Sequence, residues 1–190
     1  MFNSPAWIDW VAFGLSAAGG LSILSLAALS AARSGFQFFP PPSKESWQHN
    51  AFLVSFRIFL YPLVILSLLV FPKVSGVLGW LQLGIGLTLS IIGFGLAFRV
   101  TFQMGWKNAF GEKRGLKKTG WFERSRNPVY VATWLGLIGW GMAVNEPRVL
   151  ILLSLWGFMY WIAPRFEEPW LEQQYGDDYR LYKTNTPRFL

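Results

Sequence analysis

The sequence predicts an all-α integral membrane protein with about five transmembrane helices, and three observations support this prediction. First, 53% of the 190 residues are hydrophobic and only 14% are charged, which is too apolar for a water-soluble domain of this length. Second, several segments contain the roughly 20 largely apolar residues that a helix needs to cross a bilayer. Third, the basic residues lie in loops between these segments. The net charge of +7 therefore indicates juxtamembrane loops rather than nucleic-acid binding.

Five apolar segments are predicted to form the transmembrane helices. The three longer segments are Trp7–Ala32, Ala51–Phe71 and Val77–Thr101. The two shorter segments, Val129–Val144 and Val149–Ala163, should form a helical hairpin, because Pro147 in the connecting sequence NEPR stops one helix from running into the next. Pro164 is expected to end or kink the fifth helix. The first segment is expected to be retained rather than cleaved as a signal peptide, because its apolar run is long and no basic cluster precedes it.

Seven glycines in the first and third segments can let neighbouring helices approach closely, because a glycine has no side chain to hold the backbones apart. They are Gly14, Gly19, Gly20, Gly84, Gly86, Gly93 and Gly95. We expect helix packing to explain these positions.

The distribution of basic residues predicts the orientation in the membrane. The loop after the third segment is rich in Lys and Arg, and the loop after the first segment adds Arg33 and Lys44. The opposite side carries little beyond Lys73 and Arg148. Because basic loops tend to stay in the cytoplasm, the N-terminus should lie outside and the C-terminus inside. The membrane is expected to be a bacterial inner membrane.

Composition excludes several kinds of site. The chain contains no cysteine, which rules out disulfides, iron–sulfur clusters, thiolate metal sites and cysteine nucleophiles. His49 is the only histidine, which argues against a histidine metal site, and we expect it to be a surface residue rather than a base. We therefore expect no metal and no nucleic-acid partner.

A candidate anion site lies where the basic third loop meets the fourth helix. Pro128 suits the first turn of that helix, because the N–H group that proline lacks would be unpaired there. The N–H groups that follow, together with the positive end of the helix dipole, attract an anion. Arg126 stands just before this helix end, so a bound carboxylate would meet a guanidinium and a helix N-terminus together.

The C-terminal sequence RFEEPWLEQQYGDDYRLYK supplies acidic and aromatic groups. Glu167 and Glu168 lie at a membrane boundary, where acids are costly to desolvate unless they are paired. Two interpretations are open: the acids face water or pair with Arg165, or they bind the ammonium group of a ligand. Further along, Tyr179 and Tyr182 should share one face of a short helix.

These residue types suit an amino-acid zwitterion joined to a nucleoside. Arg126 and the helix end suit a carboxylate, the glutamates suit an ammonium, and aromatic side chains suit a ring or a sulfonium. The aromatic candidates are Trp121, Phe122, Tyr130 and Tyr182. S-Adenosylmethionine is such a molecule, although residue types alone do not single it out.

Two blocks of sequence resemble the isoprenylcysteine carboxyl methyltransferase family of membrane methyltransferases, which is related to the phospholipid methyltransferases. They are LKKTGWFERSRNPVY from Leu116 and EEPWLEQQYGDDYRLY from Glu167, and the predicted hairpin lies between them. The resemblance covers about residues 100–190 and implies a catalytic core there, within a single membrane domain of residues 1–190. Residues 1–75 are then variable N-terminal spans that match nothing specific.

The resemblance implies that S-adenosylmethionine enters a cytoplasmic pocket built by the last two spans and the tail, while a lipophilic methyl acceptor arrives from the bilayer. By position, the residues implied to bind the cofactor are Met104, Gly105, Leu116, Gly120, Arg126, Asn127, Pro128, Tyr130, Glu167, Glu168 and Leu171. Among them, Arg126, Asn127 and Tyr130 are the implied catalytic residues.

The sequence departs from the family pattern in three places. Asn127 stands where many members have histidine, and Arg114 replaces an upstream histidine of the eukaryotic members. Pro169 disfavours helical geometry at Glu168, so the glutamate that points into the pocket is left open.

Several functions fit this resemblance. Carboxyl methylation of the isoprenylcysteine type is favoured, because a carboxylate acceptor needs no base and the motif lacks histidine. A phospholipid amine or a small molecule methylated on nitrogen or sulfur is the first alternative. An NADPH-dependent membrane reductase of related architecture and a non-enzymatic assembly factor are the others.

Overall fold

The computed structural model describes residues 6–33, 35–105 and 115–190, and every regular element in these ranges is helical. The first three helices are α1 (Ala6–Ala32), α2 (Trp47–Leu69) and α3 (Gly76–Met104). A short 3₁₀ turn at Gly120–Glu123 precedes α4 (Pro128–Val144), α5 (Pro147–Tyr175) and α6 (Asp177–Asn185).

Five of these helices account for the apolar segments of the sequence. Four of them, namely α1 from Trp7, α2, α3 and α5, are long and apolar enough to cross a membrane. The fifth, α4, is apolar but has only 17 residues, or about 25 Å at the usual helical rise. The prediction of an all-α membrane protein with about five transmembrane helices is confirmed.

The predicted hairpin joins α4 to α5 through a tight turn. Asn145 ends α4 in the left-handed conformation, with φ of 45°, and its N–H donates to the carbonyl of Gly141 at 2.8 Å. Glu146 then begins the next helix, because its carboxylate accepts the N–H of Val149 at 3.1 Å and caps the helix end. Pro147 occupies the first turn of α5, where its missing N–H leaves no bond unmade.

We expected Pro164 to end or kink the fifth helix. Pro164 does not end it, because α5 continues through both Pro164 and Pro169 to Tyr175. Each proline removes one backbone hydrogen bond. Ala163, Pro164 and Glu168 are nevertheless buried, so packing against neighbouring elements stabilises this part of the helix. The helix ends at Gly176, whose φ of 55° suits glycine.

Small residues bring two pairs of helices into backbone contact. A β-carbon on Gly86 of α3 would lie 2.7 Å from the backbone nitrogen of Ala143 in α4, and one on Gly19 of α1 would lie 2.6 Å from that of Phe59 in α2. Gly20 and Gly93 are similarly close to their neighbours. These four positions therefore fit the packing role expected of them. The expectation is wrong for Gly14, Gly84 and Gly95, where an added β-carbon would meet no described atom within 4 Å.

The buried apolar residues form two clusters. The larger one joins α1, α2, α4 and α5 around Phe59 and Trp156. The smaller cluster, which we call the second core, lies where α3 ends and α4 begins, and α6 packs onto it. Its members are Val100, Phe122, Tyr179 and Tyr182, with Met104, Leu116, Val129, Leu171 and Tyr175 packed against them. Burial of Tyr179 and Tyr182 on one face of α6 confirms their predicted arrangement and anchors the C-terminal tail beside α4.

Candidate active site

An arginine and a glutamate meet in the interior at the start of α4. Arg126 lies two residues before this helix, and its Nη2 donates to Oε1 of Glu168 in α5 at 2.9 Å. Both side chains are almost completely buried, with exposures of 8% and 5%. A buried carboxylate of this kind is stable only when it is paired and hydrogen-bonded, so this pair is a fixed part of the structure.

A second arginine completes the partners of this glutamate. Arg188, two residues before the C-terminal Leu190, donates from Nε to Oε1 of Glu168 at 2.9 Å and from Nη2 to Oε2 at 2.7 Å. The two parallel bonds are the two-pronged geometry in which arginine binds carboxylates most strongly. Hydrogen bonding to Glu168 raises the pKa of the Arg188 guanidinium. Glu168 therefore lies between two guanidinium groups, one from each side.

Arg126 also fixes the path of the C-terminal tail. Its Nη1 donates to the carbonyls of Lys183 at 2.7 Å and Thr186 at 3.0 Å, and its backbone N–H donates to the carbonyl of Pro187 at 2.9 Å. Its Nε is buried and has no hydrogen-bond partner among the described residues. The guanidinium that we expected to meet a cofactor carboxylate is thus mainly engaged with Glu168 and the tail, and one of its donors is left over.

The residues around Arg126 hold the same tail. Asn127 donates from Nδ2 to the carbonyl of Arg188 at 2.9 Å, and its backbone N–H donates to Oγ of Ser125 at 3.1 Å. The buried Tyr182 hydroxyl donates to the carbonyl of Phe122 at 2.7 Å. Burial raises the pKa of Tyr182 to about 12, so this hydroxyl stays a donor at neutral pH. The beginning of α4, where we expected an anion, is therefore covered by the chain's own C-terminal residues.

The neighbouring glutamate has a different partner. Tyr130, in the first turn of α4, donates its hydroxyl hydrogen to Oε1 of Glu167 at 2.5 Å. The Tyr130 ring lies against Tyr160 of α5, with ring centroids 4.5 Å apart. Glu167 is only partly buried, and Tyr130 is its one hydrogen-bond partner within the described ranges. Two adjacent acids thus point to two separate environments.

The sequence left open whether the two glutamates pair with Arg165, and in the structure neither of them does. The Arg165 guanidinium lies over the ring of Trp161 instead, 3.9 Å from its centroid. Glu168 has two arginine partners and Glu167 has a tyrosine hydroxyl. Glu167 is therefore the acid with binding capacity left for a cationic ligand.

Three of the remaining candidate residues pack against the adjacent second core. Met104, Leu116 and Leu171 pack there against Phe122 and the two buried tyrosines. Gly105 ends α3 with φ of 91°, and Gly120 begins the 3₁₀ turn with its N–H donating to Glu123 at 2.9 Å. Pro128 is buried at the first position of α4. Arg114, which departs from the family pattern, lies outside the described residues. Within the described residues, no group of three or more potential metal ligands occurs.

Sequence reasoning missed the contribution of the last five residues. Thr186, Pro187 and Arg188 all contact Arg126, Asn127 or Glu168, and Phe189 lies against Trp134 of α4 with ring centroids 4.8 Å apart. The only signal in the sequence was an arginine after the last predicted helix, on the same side of the membrane as two acids.

Comparison with known proteins identifies the core of the chain. The family model described as phospholipid methyltransferase matches residues 81–178, which is slightly more than half of the chain. No curated protein and no solved structure gave a significant match. The matched region begins within α3, contains Arg126, Asn127, Tyr130 and both glutamates, and stops in the first turn of α6.

The helical membrane fold and this match together define a membrane methyltransferase. The chain belongs to the phospholipid methyltransferase family, which is related to the isoprenylcysteine carboxyl methyltransferases that the two sequence blocks resemble. The helices α1 and α2 and the Arg188 segment lie outside the matched region.

Proposed function

We propose that the protein transfers a methyl group from S-adenosylmethionine to a lipophilic acceptor at the cytoplasmic face of the membrane. The observation that supports this most strongly is the divergence of the two glutamates. Glu168 is neutralised by Arg126 and Arg188, while Glu167 accepts the Tyr130 hydroxyl at one oxygen and keeps the other without a partner among the described residues. An acid in this position suits the ammonium group of an amino-acid cofactor.

The donor set of the site also fits the rest of this cofactor. Glu167 would hold the ammonium group, and the buried Nε of Arg126, which has no partner among the described residues, is a donor for the carboxylate. We assign Arg126, Asn127 and Tyr130 to the reacting centre, with Glu168 as the acid that positions Arg126. The other proposed cofactor contacts are Met104, Gly105, Leu116, Gly120, Pro128 and Leu171. When bound, S-adenosylmethionine supplies an electrophilic methyl group on a sulfonium.

For the acceptor we favour a carboxylate, as in isoprenylcysteine-type methylation. A carboxylate is already a nucleophile at neutral pH, so the protein needs only to align it and exclude water. A carboxylate acceptor also agrees with the lack of a histidine base in the block around Arg126. The single histidine, His49, lies in the first turn of α2 instead.

A phospholipid amine is the second candidate, and one contact favours it. An ammonium acceptor must lose a proton before it can attack. The 2.5 Å hydrogen bond from Tyr130 to Glu167 provides a path by which a proton could reach a carboxylate. The match to the phospholipid methyltransferase family agrees with this acceptor as well.

Ligand binding and methyl incorporation together test this function. We expect S-adenosylhomocysteine to bind the detergent-solubilised protein in calorimetry, with or without EDTA, and NADPH not to bind. Tritiated methyl groups should enter lipid extracts or prenylcysteine analogues. Alkali releases methanol from a methyl ester but not from a methylated amine, so it separates the two acceptors. Binding of NADPH alone would indicate a reductase, and binding of neither ligand would indicate a non-enzymatic protein.

We propose that the N-terminus faces outward and the C-terminus faces the cytoplasm. The basic loops support this orientation, and five crossings place the two termini on opposite sides. Because the chain has no cysteine, a single Asp178→Cys or Lys73→Cys change gives an unambiguous label. In intact cells, a membrane-impermeant maleimide should label Lys73→Cys only, and Asp178→Cys should react only after lysis. Labelling of both positions from one side would contradict the five crossings.

A further inference from the structure

An arginine lies on the outer surface of α2, inside the part of the helix that crosses the membrane. Arg57 is six residues after Ala51, the first residue of the predicted apolar segment, so it lies about 9 Å below the edge of the hydrocarbon layer at the usual helical rise. Its side chain is exposed, and it forms no ion pair or hydrogen bond with a described residue. An arginine that faces lipid without an anionic partner is costly, so this position indicates a ligand.

Two further polar groups accompany Arg57 on this surface. Tyr61, one turn further along α2, is 59% exposed, and its hydroxyl has no hydrogen-bond partner within the described ranges. Pro62 has no N–H, so the carbonyl of Ile58 lacks its usual helical donor, and Ile58 is exposed as well. A charged donor, a hydroxyl and a carbonyl therefore lie together on a helix face that otherwise presents hydrocarbon to lipid.

The direction of α2 carries the guanidinium of Arg57 toward the head groups on the side of the candidate active site. Side chains on a helix slant toward its N-terminus, and a long arginine in a membrane helix extends to the nearer interface. The N-terminus of α2 at Trp47 shares one side of the bilayer with the start of α4, because α2 begins after the first crossing and α4 after the third. The anion that meets Arg57 therefore comes from the head groups of this leaflet.

The rest of this face favours a phospholipid as the occupant. The other exposed positions, which include Val54, Ile65 and Leu68, are large and apolar, whereas helices that pack together in membranes use small residues at their contact. The chain's own acids lie near the ends of the predicted membrane-crossing segments or beyond them, so a second copy offers no carboxylate at this depth. A phosphodiester suits the two-pronged guanidinium and is present in every phospholipid.

We infer that Arg57 and Tyr61 form a binding site for the phosphate of an anionic phospholipid in the leaflet next to the candidate active site. The guanidinium binds the phosphate oxygens, the Tyr61 hydroxyl donates to an ester oxygen below them, and the acyl chains continue along the exposed face toward Ile65. An anionic head group is preferred to phosphatidylcholine, because the positive charge of choline opposes that of Arg57. This lipid is a resident ligand of α2, which lies outside the family match at residues 81–178, and it is distinct from the methyl acceptor.

Fluorescence quenching in vesicles tests this site. The chain has no cysteine, so Val54→Cys carries a single bimane label one turn from Arg57 on the same exposed face. In phosphatidylcholine vesicles, brominated phosphatidylglycerol should quench this label with about tenfold preference over brominated phosphatidylcholine, as expected for a charge-assisted hydrogen bond. Equal quenching by the two lipids would overturn the inference. The readout is lipid contact, so it does not depend on methyl transfer.

Matched variants of the labelled protein assign the preference to these residues. Arg57→Gln should reduce it to less than about twofold, and Tyr61→Phe should lower it by about threefold. Arg33→Gln removes the same charge from the exposed end of α1 on the same side of the membrane, and it should retain the preference. Equal losses in the Arg57 and Arg33 variants would mean that net charge alone attracts the lipid, and the site would be rejected.

Two further measurements separate a lipid from other anionic occupants. Glycerol phosphate added to the aqueous phase should leave the quenching unchanged, and displacement of the lipid would instead indicate a site for a water-soluble phosphate. A photoreactive amino acid in place of Ile58 should give lipid adducts in cells, detected by mass spectrometry. A discrete protein adduct without lipid adducts would contradict the inference and indicate a helix of another protein.

Discussion

Replacing Glu168 with glutamine should lower the free energy of unfolding by about 3 kcal/mol. Glutamine keeps the shape of the side chain but removes the negative charge between the guanidinium groups of Arg126 and Arg188. Arg188 is 37% exposed and can turn toward water, whereas Arg126 is 8% exposed and stays buried without an ionic partner. Unfolding in mixed micelles of increasing SDS content, followed by tryptophan fluorescence, measures the change.

Glu172→Gln is the matched control for this prediction. Glu172 lies one turn further along α5 and forms an ion pair with Lys183, from Nζ to Oε1 at 2.6 Å. Both partners are partly exposed, with side-chain exposures of 41% for the lysine and 31% for the glutamate, so losing this pair should cost less than about 1 kcal/mol. Equal losses in the two variants would show that the buried cluster contributes no more to stability than a surface ion pair.

Replacing Glu167 with glutamine should weaken the binding of S-adenosylhomocysteine roughly ten- to a hundredfold, which is the usual cost of losing a charge-assisted hydrogen bond. The change leaves the fold intact, because the Tyr130 hydroxyl can still donate to the amide oxygen of glutamine. The stability of this variant should therefore stay close to that of the parent. Calorimetry in detergent measures the affinity.

Two further variants make this result specific. Glu172→Gln should bind S-adenosylhomocysteine like the parent, since its carboxylate faces Lys183 rather than the site. Tyr130→Phe keeps the ring and removes only the hydroxyl that orients Glu167, so we expect a smaller loss, about three- to tenfold. If Glu167→Gln bound as tightly as the parent, the ammonium group would have another partner and the proposed pocket would be misplaced.

These expectations divide the roles of two adjacent acids. Loss of Glu168 should mainly change stability, because both of its oxygens are bound to arginines. Loss of Glu167 should mainly change affinity, because its one partner in the described structure is a hydroxyl. Neighbouring residues on a helix point about 100° apart, so a motif of two glutamates can serve two purposes.

The membrane fold could be predicted from the sequence because hydropathy and length are local properties. A run of about 20 apolar residues has few alternatives to a spanning helix, since lipid offers the backbone no hydrogen-bond partners. The hairpin at Pro147 and the end of α5 at Gly176 follow from the backbone chemistry of single residues. The two blocks around Arg126 and Glu167 were likewise sufficient to indicate the family.

The partners of the charged residues were decided by the tertiary structure. Arg126 and Glu168 are 42 positions apart, and Arg188 reaches Glu168 only because the tail turns back over the start of α4. These contacts depend on how far each helix is rotated about its axis and on the path of the tail. A hydropathy pattern contains neither quantity. The same reasoning explains why Gly93 packs against α4 while Gly95, two residues later, does not contact a neighbour in the described structure.

By itself, the sequence determined that this protein spans a membrane and that it belongs with the methyltransferases. The tertiary structure decided which glutamate is held by arginines and that the tail covers the start of α4. The physical reason is the separation along the chain of the residues that decide each property. Burial and helix formation depend on neighbours within a few turns, whereas a site is made by side chains that approach only after the helices have packed.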